Sequence, residues 1–248
     1  MSAIRIIRSS RSLAPFIAVA IALAACGGTD TTAPAGVPES FQLTGAQVGS
    51  LDSSAHTILQ ANPGNSELES LVDSTLLVFT AGVQAQHIAA TTDLTSAPLY
   101  FVGIHRVVNQ SANGSYSTWA VVGLDDPAHL SNILEVSGFA QSSSATAPTS
   151  VNAAIGSGLV NALMLQVGSG GAVTEWRMNA GSASFISDPA GAPCPNFTPT
   201  PRVTCAMETM HVHFTVSAAN GSNGAGARQA SIPADVAVPT MRLTITPP

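Results

Sequence analysis

The stretch CPNFTPTPRVTCAMETMHVHFTV, Cys194 to Val216, holds two of the three cysteines, Cys194 and Cys205, followed closely by the pair His211 and His213. Thiolates and imidazoles are the side chains that bind transition metals. On a strand, His211 and His213 share a face about 6.5 to 7 Å apart at Cα, close enough to grip one ion together. With Met207 and Met210 nearby the chemistry suggests copper(I), with zinc second. Geometry limits that reading. Met207 lies on the histidines' face but about 20 Å from His213, while Met210 and Glu208 point the other way. The alternation favours a plainer account, a half-buried strand with Ala206, Met210, Val212, Phe214 and Val216 inward and Thr209, His211, His213, Thr215 and Ser217 as its wet side. A metal site would need further ligands, from among His56, His87, His105 and His129.

The cysteines read as a staple. The spacing C-x10-C lacks the close pairs of structural zinc motifs, and in an oxidising compartment a disulfide between Cys194 and Cys205 is the default. That compartment is indicated by the first residues of the chain. MSAIRIIRSSRSLAPFIAVAIALAACGG carries Arg5, Arg8 and Arg11, then an apolar run from Leu13 to Leu23, then small residues, which is the pattern of an export signal. The run is shorter than the roughly 18 to 20 residues of a spanning helix. Leu23-Ala24-Ala25-Cys26 resembles the lipobox of bacterial lipoproteins. The resemblance implies cleavage before Cys26, lipidation of its thiol and acylation of the new terminus, anchoring the protein to an envelope membrane facing the periplasm or exterior. More than one acyl chain holds a protein at a bilayer stably.

Two further resemblances attach to the histidine pair and stop short. HVH is similar to a copper-ligand motif of copper-zinc superoxide dismutases, and GAGARQAS, Gly224 to Ser231, resembles that family's glycine-arginine signature. Only ten residues separate the two here, and Ser231 stands where the family has cysteine. The cupin metal motif also opens with HxH, but its glutamate and glycine are missing at the required spacings. No G-x-S-x-G elbow is present, so an envelope hydrolase would have to assemble its site from scattered residues. The glycine clusters GSGG and GSNGAGA match no phosphate-binding loop.

The elements that must position these groups are mostly strands. Residues 1–25 read as leader, 26–38 as a flexible tether, and 39–248 as one β-rich domain. Within it, Ser66 and Glu69 have capping-box spacing, and Leu68, Leu71, Val72, Leu76, Phe79 and Val83 form one face, which predicts a helix over about 66 to 85. From Leu99 onward short apolar and β-branched runs alternate with turn residues, among them Asn113-Gly114. Asp126 and Pro127 suggest a one-turn helix, with an ion-binding role for Asp125 and Asp126 as the alternative reading. Residues 141 to 150 form a surface loop or a boundary between halves. The fold class expected is mainly β, an antiparallel sandwich or barrel of about eight or nine strands with one N-terminal amphipathic helix. Trp119, Trp176, Tyr100 and Tyr116 then serve as core or cross-strand aromatics, the alternative being a ligand platform.

After cleavage five arginines, Arg106, Arg177, Arg202, Arg228 and Arg242, would face fourteen acidic residues, a net charge of −9. An acidic chain without a single lysine is no partner for nucleic acid. The functional expectation is a non-enzymatic envelope lipoprotein, a structural or binding module. A copper- or zinc-binding lipoprotein using His211 and His213 is the alternative, and an envelope hydrolase the weaker one.

Overall fold

The computed structural model describes residues 39–41, 43–80, 85–88, 99–111, 113–126, 129–189, 191–195, 197–222 and 225–246. The leader, the lipobox with Cys26, the tether and Val83 lie outside them. The elements run β1 (Glu39–Phe41), α1 (Gly45–Ala61), α2 (Ser66–Thr80), β2 (Ala85–Ile88), β3 (Leu99–Ser111), β4 (Gly114–Asp126), β5 (His129–Ser142), β6 (Ser150–Ala154), β7 (Val160–Val167), β8 (Val173–Ser187), β9 (Val203–Gly221) and β10 (Ala227–Ile245). The fold is mainly β, as the texture predicts.

The strands close on themselves. Pairing runs β3-β10-β9-β8-β7-β5-β4, and β4 pairs back onto β3, so seven strands form a barrel. Six of its seams are antiparallel and one, between β3 and β10, is parallel. An odd-numbered ring cannot alternate direction all the way round, so a purely antiparallel barrel is ruled out by strand number alone. β6 pairs the distal half of β8, while β1 and β2 form a hairpin on the edge of β3. Ten strands appear among the described residues where about eight or nine were expected, although two pairs of expected strands are each continuous. AVTEWRM and SASFIS form the single strand β8, which bends at Gly181 through register shifts against β9. Gly181 has φ 120°, and a Cβ there would strike the Thr215 carbonyl. Likewise RQASIPADVAV and TMRLTIT are both β10, with Pro233 and Pro239 upstream of Thr240, where β3 joins. Among the described residues only β9 pairs β10 there, so the other edge tolerates the missing N–H groups.

Two cores result from the alternation along the strands. The lumen is filled by Leu99, Phe101, Trp119, Val121, Leu134, Val136, Met164, Trp176, Phe185, Met210, Val212, Phe214, Val216, Val236 and Val238. The outer wall of β3, β4, β5 and β7 packs Val102, Ile104, Val122, Leu124, Ile133 and Leu165 against Leu51, Ile58, Leu68, Leu71, Val72 and Phe79 of the two helices.

α2 fulfils the helix expectation over Ser66–Thr80, with its cap one residue earlier than Ser66, but the helix does not extend to 85, because Ala85 already belongs to β2. The Asn65 side chain accepts from the Leu68 N–H at 3.1 Å. α1 is an addition to the expected single helix. Thr44 and Gln47 close a capping box at its start, and Leu51, Ala55 and Ile58 are its buried residues, at helical spacing. Its glycines and serines hid that pattern, since they are weak helix formers. The one-turn helix expected at Asp126 is not formed. β4 runs to Asp126 and β5 starts at His129, leaving two residues between them, too few for a turn of helix. Residues 143–149 form a loop, not a boundary between halves. Ser117 and Ser115 donate from the lumen to the carbonyls of Pro148 and Ser144, and Ala147 is buried, so the loop covers one barrel end.

Candidate functional site

The stretch from Cys194 to Val216 divides between the inside and the outside of the wall. Cys194 and Cys205 are joined, with Cα atoms 5.4 Å apart, as expected of this pair in an oxidising compartment. The bridge is buried against the outer core and fastens the preceding loop onto β9. Backbone bonds from Gly191 N to the Met207 carbonyl and from Met207 N to the Ala192 carbonyl continue that fastening.

His211 and His213 stand on the outside of β9, both exposed, while Met210, Val212, Phe214 and Val216 fill the lumen. The half-buried strand with its wet side out is what forms. His211 Nε2 lies 3.3 Å from Asp188 Oδ2, an exposed pair of little energetic weight. Among the described residues no three His, Cys, Asp or Glu side chains group as a metal site. His105 is on the opposite face of the wall, His56 bonds Gln60, and His129 bonds Asp126. The His87 side chain lies outside the described residues. Asp125 accepts from the backbone and side chain of Asn132, which occupies both its oxygens.

The concentration of reactive groups is inside the barrel. His105 of β3, Trp119 of β4, Ser187 of β8 and Glu208 of β9 meet at one end of the lumen. All four are buried. His105 and Trp119 are cross-strand partners, their rings stacked at 4.8 Å between centroids. His105 Nδ1 donates to Glu208 Oε1 at 2.6 Å, and Ser187 Oγ lies 3.1 Å from the same nitrogen. The Trp119 indole N–H donates to Ser187 Oγ at 2.9 Å. Three buried polar atoms have no hydrogen-bond partner among the described residues: His105 Nε2, Glu208 Oε2 and Arg242 Nε. Arg242 is the register partner of His105 on β10 and follows Val238 and Thr240 on the lumen face.

Serine, histidine and glutamate together suggest a hydrolytic triad, but the arrangement cannot run one. A proton relay needs the acid on one imidazole nitrogen and the nucleophile on the other. Here both partners face Nδ1, and Ser187 is only 8% exposed. What the cluster can do is hold a buried imidazole in one tautomer and orientation, because the carboxylate claims the Nδ1 proton.

Sequence reasoning offered His105 only as a possible helper and gave Glu208 no role. The signal was present. In the inward alternation Ala206, Glu208, Met210, Val212, Phe214 the glutamate is the single charged residue, and in Leu99, Phe101, Gly103, His105, Val107 the histidine is the single titratable one. A charge in an apolar alternation has to find a partner. The two tryptophans are lumen core, and Tyr100 packs against the outer core, while Tyr116 contacts Phe139 at 5.8 Å.

A second feature is an open groove of about 680 Å³ between α1, the start of β5 and the β7-β8 turn. Three of its hydroxyls serve the fold. Ser53 and Thr57 donate to carbonyls one helical turn earlier, and Ser54 accepts from the Leu130 N–H.

No family model, no curated protein and no solved structure matches the chain.

Proposed function

We propose that the protein is an exported, lipid-anchored envelope protein whose barrel serves as a non-enzymatic structural or binding module. The observation that carries this reading is Leu23-Ala24-Ala25-Cys26 after a basic and apolar leader, followed by a short small-residue tether into a folded body. The Cys194–Cys205 bridge is consistent with export. No helix among the described residues is long and apolar enough to cross a membrane. The barrel is a scaffold by this account, because its lumen is packed with aromatic and aliphatic side chains. Its polar cluster lacks the geometry of acyl transfer, which supports the non-enzymatic part.

The decisive experiment is metabolic labelling with a fatty-acid analogue, followed by membrane fractionation. The wild-type chain should take up label and sediment with membranes, and Cys26→Ser should do neither. Equal labelling of both chains, or an unlabelled wild type in the soluble fraction, sinks the proposal.

A further inference from the structure

The groove between α1, the start of β5 and the β7-β8 turn has a volume of about 680 Å³, within the roughly 300 to 1,000 Å³ of small-molecule sites. Its walls are tied together by hydrogen bonds. The Leu130 N–H of β5 donates to Ser54 Oγ at 3.1 Å, and the Asn62 amide at the end of α1 donates to the Gly171 carbonyl of the turn at 2.8 Å. At Gly171 the turn comes so close to α1 that a Cβ would meet the Thr57 carbonyl at 2.8 Å. The opening is therefore fixed by the same contacts that dock α1.

The hydrogen-bonding capacity of the lining is only half used. Ser53 and Thr57 donate their hydroxyl protons to carbonyls one turn earlier, which leaves their oxygens as acceptors. Ser54 accepts from Leu130, which leaves its own proton to give. Ser50 and Ser131 add two more hydroxyls to the same lining. Between them Gly49 keeps the α1 wall low. It is exposed, and a Cβ there would meet nothing within 4 Å, so crowding does not call for glycine in place of a better helix former.

We propose that this groove binds a neutral saccharide. Charge decides against an ionic ligand, because among the described residues lining the groove there is no arginine and no carboxylate, and the titratable His129 has its Nδ1 bonded to Asp126. A phosphate or carboxylate would find no cation there. A sugar hydroxyl donates and accepts at once, which matches a lining that offers oxygens at Ser53 and Thr57 and a proton at Ser54. Ile58, Leu130 and Val167 line the same groove and give the C–H face of a sugar ring an apolar surface to pack on. An acyl chain would instead cover the hydroxyls without bonding them, at a cost in free energy. The inference names the ligand class of the binding module proposed above and rests on that reading, but not on the leader.

The test is saturation-transfer difference NMR on the full chain in a polyoxyethylene detergent, since glycoside detergents would compete. The probes are maltotetraose, cellotetraose and the tetramer of N-acetylglucosamine, with a neutral capped tetrapeptide of glycine and serine as the contrast. The wild type should transfer saturation to the ring protons of at least one sugar and not to the peptide. Gly49→Leu, which puts a side chain into the groove from α1, should abolish the transfer while melting cooperatively at or above the wild-type temperature. Ser131→Leu closes the groove from β5 and should do the same, so the site is tested even if one variant fails to fold. Absence of transfer from the wild type to all three sugars overturns the proposal, as does undiminished transfer in a folded variant. Transfer to the peptide that Gly49→Leu also abolishes overturns the saccharide in favour of a peptide. None of these outcomes depends on Cys26, so the groove and the lipid anchor stand or fall separately.

Discussion

At the scale of single residues, the strongest constraint is the His105–Glu208 pair. A hydrogen-bonded polar pair sealed in a lumen contributes little net stability, because the desolvation of both partners offsets their attraction. Breaking it is another matter. Glu208→Met leaves His105 Nδ1–H buried without its acceptor and should lower the unfolding free energy by about 3 to 5 kcal/mol. The double variant Glu208→Met with His105→Phe removes both polar groups while keeping their volume. It should recover most of that loss, to within about 1 to 2 kcal/mol of wild type. Urea denaturation of the two single variants and the double variant measures the coupling directly. If the two losses simply add, the pair is not a unit and the cluster is held by its neighbours.

Among the elements, α2 docks its first turn onto the barrel through charge as well as apolar contact. Arg177 of β8 reaches Glu67 with two bonds, at 2.6 and 3.1 Å, and Asn65 donates to Glu175. Beside them Glu135 of β5 is half-buried. Burial pushes its carboxyl up to about 7, the nearby Glu67 carboxylate pushes the same way, and a bond from Ser137 pulls partly back. A carboxyl with a raised folded pKa binds its proton more tightly in the folded state, so this group makes the fold less stable as pH rises. The change falls between the ordinary value of 4.5 and about 7 and is constant above that. Glu135→Gln should match the wild type near pH 4 and exceed it by roughly 1 to 3 kcal/mol at about pH 8. Thermal melting across pH checks this, and an unchanged difference at both ends would remove Glu135 from the account. The apolar half of the same docking was legible in the sequence, because Leu68, Leu71, Val72 and Phe79 recur at helical spacing and all are buried. Its charged half was not. Glu67, Glu135 and Arg177 are far apart in the chain, and only the closure of β5, β7 and β8 side by side brings them under one helix. The same holds for the lumen cluster, whose four members come from four strands. Pattern along a strand shows which face a side chain takes, but not which strand it will meet there.

For the molecule as a whole, closure of the barrel depends on its last long strand. β10 must return alongside β3 in parallel, the one parallel seam of the ring, and it carries β9 with it as its antiparallel partner. Non-local pairing of this kind pays its loop entropy before it gains contacts. The Cys194–Cys205 bridge acts on this step, because Cys205 faces Leu243 of β10 across the ladder and the bridge fixes the chain entering β9. Replacing both cysteines by serine should cost about 3 kcal/mol in the chain-entropy model, less whatever freedom Pro195, Pro199 and Pro201 already remove. If the bridge's effect lies mainly in the unfolded chain, the loss should appear as slower refolding with little change in the unfolding rate. If instead the loop must stay fastened for the seam to hold, unfolding should accelerate by most of the measured loss. Stopped-flow denaturation of the bridged and serine chains separates the two. The buried position of both sulfurs in the outer core argues for the second outcome, since opening the bridge also leaves two polar serines in an apolar cluster.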